Sequence, residues 1–136
     1  MADIAATVQK IYEAFGSGNI PAILELVDAD CQWESWADNR AQQAGVPWMV
    51  ARTGPAGAGA FFGVVGSLEL HAFDVLNVMV GTNSAAVEFV IEYTYAPTGK
   101  RLRDEEIHLW TFNEAGKVIR LRHYDDTAKH IEAATA

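Results

Sequence analysis

His108 stands among large apolar side chains in the segment EEIHLWTF, residues 105–112, where it alternates with Glu106 and Trp110. An imidazole can accept or release a proton near neutral pH, because its reference pKa is about 6.5. If the segment is a strand, these three side chains face the same way and can line one pocket. We therefore interpret His108 as a candidate acid–base residue. The structural alternative is a histidine that packs in the core and hydrogen-bonds to a tyrosine or to the backbone.

His123 alternates with two arginines in the next strand-like run, so burial should turn it toward the same face. A hairpin on a four-residue turn pairs His108 with Leu121 and Glu106 with His123, and this register keeps the apolar faces together. One concave surface would then carry Glu106, His108 and His123. The alternative for Glu106 and His123 is a simple ion pair at the wetter rim of the fold.

The elements that must position these residues begin with helices. Apolar residues at helical spacing predict a helix over residues 4–15, which a Gly-Ser-Gly segment ends. A second, short helix should begin at Asn19, with a proline in its first turn. A strand is predicted over residues 32–36 and a long loop over residues 37–52. Thr53 should then cap a third helix that has a proline in its first turn.

Four strand-like runs follow, separated by short segments that contain turn-forming residues. The runs are residues 68–80, 85–95, 102–112 and 118–124. Such short connections predict an antiparallel meander. A last helix should run from Asp126 or Thr127 through Ala134. Helices followed by successive strands indicate a single α+β domain over residues 1–136, with the helices on one face of a curved antiparallel sheet.

The composition excludes several classes of function. The 136 residues include 10 basic and 18 acidic ones, and the net charge of −8 opposes binding to nucleic acid or to anionic membranes. The sequence has no run long and apolar enough to span a bilayer and no secretion signal at its start, so the expected location is cytoplasmic. Cys31 is the single cysteine and is expected to be a buried, unreactive thiol.

The sequence predicts neither a cofactor nor a metal ion. Its glycine-rich segment does not have the spacing of a dinucleotide-binding loop. Its four histidines are scattered, so a metal site would require Glu106, His108 and His123 to converge in the folded chain. Of the remaining histidines, His71 should be a packing or surface residue and His130 should be solvated on the last helix.

Three segments of the chain resemble a known family. They read VQKIYEAFGSGN, RTGPAGAGAFFGVVG and IHLWTFNEAGKVIRLRHYDDTA. Together they are similar to the SnoaL-like polyketide cyclases and ketosteroid isomerase relatives of the nuclear transport factor 2-like superfamily, over about residues 3–128. The resemblance implies a cone-shaped α+β barrel with a deep apolar cavity and a homodimer formed through the outer face of the sheet. Val90, Ile107 and Leu109 are the apolar residues expected on that outer face.

The resemblance also implies roles for individual residues. His108 falls where the isomerases have a protonated aspartate that donates to the oxyanion, and where the cyclases have an acid–base aspartate. Ile11 falls at the isomerases' donor tyrosine, with Tyr12 beside it, and Ser35 falls at their general-base aspartate. Because two of three groups are missing, steroid isomerisation by that mechanism is not expected. His108, with Tyr12 or Tyr93 as a second donor, would instead serve an isomerase, cyclase or dehydratase that acts on an enolisable carbonyl compound.

The predicted ligand is therefore a small hydrophobic molecule, which can include polycyclic or polyketide-derived compounds. The residues expected to contact it are Tyr12, Trp33, Ser35, Phe61, Phe89, Ile91, Tyr93, Glu106, Trp110, Leu121 and His123. Glu34 is expected to face solvent, because it lies on the opposite strand face from Ser35. The alternative function is a non-catalytic binder of a small hydrophobic ligand, or a structural dimer of the same fold.

Overall fold

The computed structural model describes residues 3–34, 36 and 38–136. Two helices open the chain, α1 over Ile4–Gly16 and α2 over Ile20–Leu24. Asp3 and Asn19 cap them, each with a side-chain oxygen that accepts a backbone N–H of the first turn. Both predicted helices are confirmed, and the Gly-Ser-Gly segment ends the first as expected.

The first strand, β1, covers Val27–Trp33 rather than the predicted residues 32–36. The predicted start was five residues too late, because Asp28 and Asp30, which were expected to precede the strand, lie within it between the buried residues Val27 and Cys31. The thiol of Cys31 is buried as predicted, and burial raises its pKa to about 12, which makes it a poor nucleophile.

The segment predicted as a long loop contains short elements of its own. They are helix α3 over Arg40–Gln43, a 3₁₀ helix over Pro47–Met49 and strand β2 over Arg52–Thr53. Helix α4, Gly54–Gly66, follows directly. Gly54 is required at its start, since the φ angle is +67° and a Cβ atom would lie 2.6 Å from the carbonyl oxygen of Ala29.

The four predicted strands are confirmed to within two residues at each end. They are β3 over Glu69–Val80, β4 over Ser84–Tyr95, β5 over Lys100–Phe112 and β6 over Val118–Tyr124. Helix α5, Thr127–Ala134, ends the fold, and the Asp126 carboxylate caps it by accepting from the backbone N–H of Lys129. None of the helices among the described residues is long and apolar enough to cross a membrane.

All six strands belong to one curved, open sheet with the order β2-β1-β6-β5-β4-β3, so the α+β class is confirmed. The sheet is mixed rather than wholly antiparallel, because β1 pairs with β6 in parallel. That pairing joins segments about 90 residues apart, and no local turn in the sequence signals it. It brings the end of β1 beside His123.

The predicted faces of the last strands are correct, but the predicted register of β5 on β6 is wrong by two residues. His108 pairs with His123, and Trp110 pairs with Leu121. A bulge between Thr111 and Phe112 shifts the ladder beyond what a regular hairpin would give. Because the error is an even number of residues, each side chain still faces the side that alternation assigned to it.

Candidate functional site

A cavity of about 70 Å³ lies between α1, α4 and the concave face of the sheet. Its wall is almost wholly apolar and aromatic, and His108 lies within it. The other predicted contact residues in the wall are Tyr12, Trp33, Phe61, Phe89, Ile91, Glu106, Trp110, Leu121 and His123. Ser35 lies outside the described residues. Tyr93 does not line the cavity, because its hydroxyl lies 2.9 Å from Nδ1 of His130, deeper in the fold.

The hydrogen bonds around Tyr12 determine which nitrogen of His108 carries the proton. The indole Nε1 of Trp110 donates to the Tyr12 hydroxyl oxygen over 3.0 Å, and that oxygen lies 2.5 Å from Nδ1 of His108. Burial raises the pKa of Tyr12 above its ordinary value, so the hydroxyl keeps its proton. An indole can only donate, so the hydroxyl proton goes to Nδ1 of His108. His108 therefore carries its own proton on Nε2.

Burial also fixes the charge of His108. It lowers the pKa of the imidazole to about 3, so the ring is neutral at physiological pH. The ring packs against Phe89, with 4.2 Å between the ring centroids. A neutral imidazole with Nε2–H in an apolar cavity is a hydrogen-bond donor to a polar atom of a ligand.

Glu34 is buried, which corrects the prediction that it faces solvent. Its φ angle is +60°, a left-handed conformation that breaks the alternation of β1 and turns the side chain inward. One carboxylate oxygen contacts Nδ1 of His123, and the other accepts the backbone N–H of His123 over 3.3 Å. Non-glycine residues held in this conformation are concentrated at functional sites.

The Glu34 carboxylate gives His123 the opposite hydrogen-bonding state from His108. A carboxylate accepts, so Nδ1 of His123 carries the proton and Nε2 keeps its lone pair. Burial lowers the pKa of His123 to about 3, so this neutral form is present at physiological pH. A histidine oriented through Nδ1 by a buried carboxylate is the arrangement that prepares an imidazole to accept a proton at Nε2.

The two imidazoles meet inside the cavity. Their ring centroids are 4.2 Å apart and their planes are nearly perpendicular. One ligand-type atom each of Glu106, His108 and His123 lies within 4.8 Å of the other two. A small molecule in the cavity can therefore contact a donor from His108 and an acceptor from His123 at once.

Glu106, His108 and His123 converge in the folded chain, and each has an atom that could bind a metal ion. The hydrogen bonds suit acid–base chemistry better, because Nε2 of His108 holds a proton while Tyr12 donates to Nδ1. Only His123 and Glu106 would then offer a lone pair, one short of the three protein ligands typical of catalytic zinc.

His130 is buried, and the prediction that it is solvated is wrong. Its Nε2 lies 2.9 Å from carboxylate oxygens of both Asp104 and Glu106, and its Nδ1 accepts the indole N–H of Trp48 over 2.8 Å. Glu106 thus lies beside His130 rather than pairing with His123. His71 is at the surface as predicted, where Nε2 is 2.8 Å from the Thr94 hydroxyl.

Three buried polar residues near Glu106 were not predicted: Asp104, Asp125 and His130. Asp104 could have been found, because the alternation that turned Glu106 and His108 inward also applies two residues earlier in β5. His130 shares an inward face of α5 with Ala133, three positions on, but one helical turn of small residues gives a weak signal.

Comparison with known proteins gives the family. A family model described as the SnoaL-like domain matches residues 8–121. An NTF2-like protein from Burkholderia thailandensis E264 has a TM-score of 0.81 at 19% identity, over 100% of both chains. A proposed SnoaL-like polyketide cyclase from Mesorhizobium loti has a TM-score of 0.70 at 21% identity, over 90% of this chain and 99% of its own.

A third solved structure is TerC co-crystallised with polyporic acid. It has a TM-score of 0.73 at 19% identity, over 98% of each chain. At such identities the likeness to solved structures establishes the fold alone. The search of curated proteins found no significant match.

Proposed function

Because the chain belongs to the SnoaL-like family, we propose that it is an acid–base enzyme that acts on a small, largely apolar carbonyl compound in the cavity. One observation supports this most directly. Two imidazoles line the same cavity, and Tyr12 and Glu34 hold them in opposite states, one as a donor and one as an acceptor. Removing a proton beside a carbonyl group needs both.

The reaction begins with a carbonyl oxygen that accepts the Nε2–H of His108. Nε2 of His123 takes a proton from the adjacent carbon, and the electron pair of that C–H bond moves toward the oxygen. The His108 hydrogen bond stabilises the resulting enolate, and Glu34 stabilises the imidazolium that forms on His123. Return of the proton to another carbon is an isomerisation, and attack of the enolate on a second carbonyl carbon is a cyclisation.

The size of the cavity restricts the substrate. An apolar cavity of about 150 Å³ holds a benzene ring, and the cavity here measures about 70 Å³. A six-membered ring therefore requires side chains of the wall to move, and a polycyclic compound requires larger movements. Aromatic walls, which include Trp33 and Trp110, suit an apolar ring.

The alternative function is a binder that does not turn over its ligand. The same burial that keeps both imidazoles neutral lowers their pKa to about 3, which makes His123 a weak base until a ligand or Glu34 stabilises its charge. The structural relative that holds polyporic acid is likewise consistent with binding alone.

Two measurements separate these functions. Small cyclic ketones are incubated in D₂O, and deuterium incorporation beside the carbonyl group is followed by NMR, while tryptophan fluorescence reports binding. The enzyme is supported if His108→Gln lowers the rate of exchange about 10²–10⁴-fold and His71→Gln leaves that rate unchanged. Saturable binding without exchange supports the binder. Full exchange in His108→Gln removes His108 from the mechanism, and no response to any ketone contradicts both functions.

A cytoplasmic location and a homodimer remain predictions. Val90, Ile107 and Leu109, the residues expected at the dimer interface, are half-buried on the outer face of the sheet. Leu76 and Met79 of the edge strand β3 are more exposed, at 56% and 45%. Met79 pairs with Ala86, which pairs with Leu109, so the apolar surface continues across three strands.

A further inference from the structure

We propose that Glu106 meets the cavity as a protonated carboxylic acid and acts as the general acid of the site, so that the enzyme eliminates water from a β-hydroxy carbonyl compound. This inference rests on the proposed function, because the elimination starts with proton removal by His123. It adds a third chemical group, Glu106, and selects elimination among the reactions that the family resemblance implies.

Glu106 belongs to a buried group of four ionisable side chains, which we call the acid cluster: Asp104, Glu106, Asp125 and His130. Their side chains are no more than 4% exposed. Oxygens of all three carboxylates lie within 3.5 Å of the same nitrogen, Nε2 of His130. Three buried anions around one imidazole cannot all be stabilised by it.

The hydrogen bonds show which of the three carboxylates accepts hydrogen bonds. The Oδ2 atom of Asp104 is hydrogen-bonded to Nε2 of His130 at 2.9 Å and accepts the backbone N–H of Asp126 at 3.1 Å. Oε2 of Glu106 lies equally close to that nitrogen but receives no hydrogen bond, and neither oxygen of Asp125 receives one. A buried carboxylate oxygen without a donor is costly unless the group binds a proton.

His130 is a poor place for the added proton. Burial lowers its pKa, and the carboxylates of Asp104 and Glu106 outweigh burial and raise it to about 10. A cationic ring, however, needs a proton on Nδ1, and the N–H of Trp48 already points at that atom from 2.8 Å. The geometry therefore puts the proton on a carboxylate, with His130 donating through Nε2. A metal ion at Nε2 of His130 is also disfavoured, because that nitrogen carries a proton and has no free lone pair.

Among the described residues, no lysine or arginine forms an ion pair with Glu106. Lys129, half-exposed on α5, has its Nζ 3.9 Å from Oδ1 of Asp104. His108 and His123 on the cavity side are neutral, and Tyr93 on β4 keeps its proton because burial raises its pKa. Glu34 adds negative charge behind His123.

The pKa shifts of Glu106 and Asp125 agree with this geometry, whereas the raised pKa of His130 does not. Burial raises the pKa of Glu106, and Asp104 nearby raises it further against the opposing effect of His130. Burial raises the pKa of Asp125 to about 7. Glu106 lines the cavity and also, together with Asp125, an open depression on the surface.

An acid beside a base makes elimination possible. Nε2 of His123 takes the proton on the carbon next to the carbonyl group, and that C–H electron pair becomes a carbon–carbon double bond. The bond from the β-carbon to its hydroxyl oxygen breaks and its pair stays on the oxygen, which takes the proton of Glu106 and leaves as water. Glu106 ends as a carboxylate and His123 as an imidazolium, and a water molecule carries the proton back from His123 to Glu106.

Infrared spectroscopy of the ligand-free protein at pH 7 tests the protonation state without any substrate. We expect the carbonyl stretch of a protonated carboxylic acid. The band should decrease in Glu106→Gln, where any remainder belongs to Asp125 with its pKa of about 7, and it should be unchanged in Glu105→Gln, the exposed neighbour on the same strand. Circular dichroism shows whether each variant folds. Absence of the band from the unmodified protein overturns the proposal. A band that disappears in Asp125→Asn but is unchanged in Glu106→Gln overturns it as well.

Two substrates test the acid role. Cyclohexanone reports proton exchange alone, and 3-hydroxycyclohexanone reports elimination to the unsaturated ketone. We expect Glu106→Gln to lower elimination about 100-fold or more and to change exchange only a few-fold, with Glu105→Gln unaffected in both. Equal losses, or elimination that Glu106→Gln leaves intact, overturn the acid role while the proposed function stands. Failure of exchange in the unmodified protein overturns the proposed function and the elimination with it.

Discussion

The hydroxyl of Tyr12 and Nδ1 of His108 lie 2.5 Å apart and join α1 to the middle of β5. This contact at Nδ1 sets the tautomer of His108, as the contact of the Glu34 carboxylate with Nδ1 sets that of His123. Tyr12 and Glu34 thus decide whether each imidazole can donate or accept a hydrogen bond at Nε2.

Tyr12→Phe should leave Nδ1 of His108 without its donor and the indole N–H of Trp110 without its acceptor. We expect a loss of about 1–3 kcal/mol in the free energy of unfolding, because a buried donor is left unpaired, together with slower deuterium exchange of bound ketones. Urea unfolding and NMR measure the two effects. Tyr124→Phe, at an exposed tyrosine of β6, is the control and should change neither. Full exchange in Tyr12→Phe would contradict the role of Tyr12.

Glu34→Gln keeps an oxygen that can accept from Nδ1 of His123 but removes the charge that stabilises the imidazolium. We predict that kcat for exchange falls about 100-fold or more while KM changes little, since the cavity wall is unaltered. Steady-state kinetics separate the two constants. Glu88→Gln, at an exposed glutamate of β4, should behave like the unmodified protein. A change confined to KM would show that Glu34 acts on binding rather than on the proton transfer.

The low pKa of His108 predicts a defined loss of stability in acid. The folded value of about 3 is below the ordinary 6.5, so the unfolded chain binds the proton first as pH falls. The contribution of His108 is therefore complete above pH 6.5 and decreases toward pH 3, by about 1.4 kcal/mol per pH unit. His108→Gln does not titrate, so its unfolding free energy should fall less steeply between pH 6 and pH 5. Parallel slopes in urea titrations would show that His108 is solvated.

The apolar outer face of the sheet predicts a homodimer at micromolar concentration. Met79→Lys places a charge on that face and should shift the mass measured by light scattering toward the monomer. Val78→Lys, at a residue of similar exposure that pairs with inward-facing Val87, is the matched control and should remain dimeric. A monomeric mass for the unmodified protein would contradict the prediction.

Alternation in the strands was enough to predict the inward face of β5 and β6. His108, Trp110 and His123 lie where period-two patterning puts them, and this holds despite the wrong register because the error was an even number of residues. The helices were predicted from their caps and glycines, and these signals are local. The α+β arrangement follows from the order of such local elements.

The partners of the site residues could not be predicted in the same way. Glu34 turns inward through a left-handed backbone conformation, which alternation does not anticipate. His130 is buried because Asp104 and Trp48 surround it, and these residues come from distant segments. Contacts that depend on the parallel pairing of β1 with β6 have no signal in a single sequence.

The parallel pairing of β1 with β6 has a consequence for how the chain folds. Strands β3 to β6 join neighbours through short turns, whereas Glu34 must wait for a segment 89 residues further along the chain. Closing so long a loop costs more entropy than forming a hairpin, so this step should come late and be the first to reverse on unfolding. During synthesis, a nascent chain that ends before β6 has Glu34 but not His123, so the proposed acid–base pair can assemble only after β6 has been made.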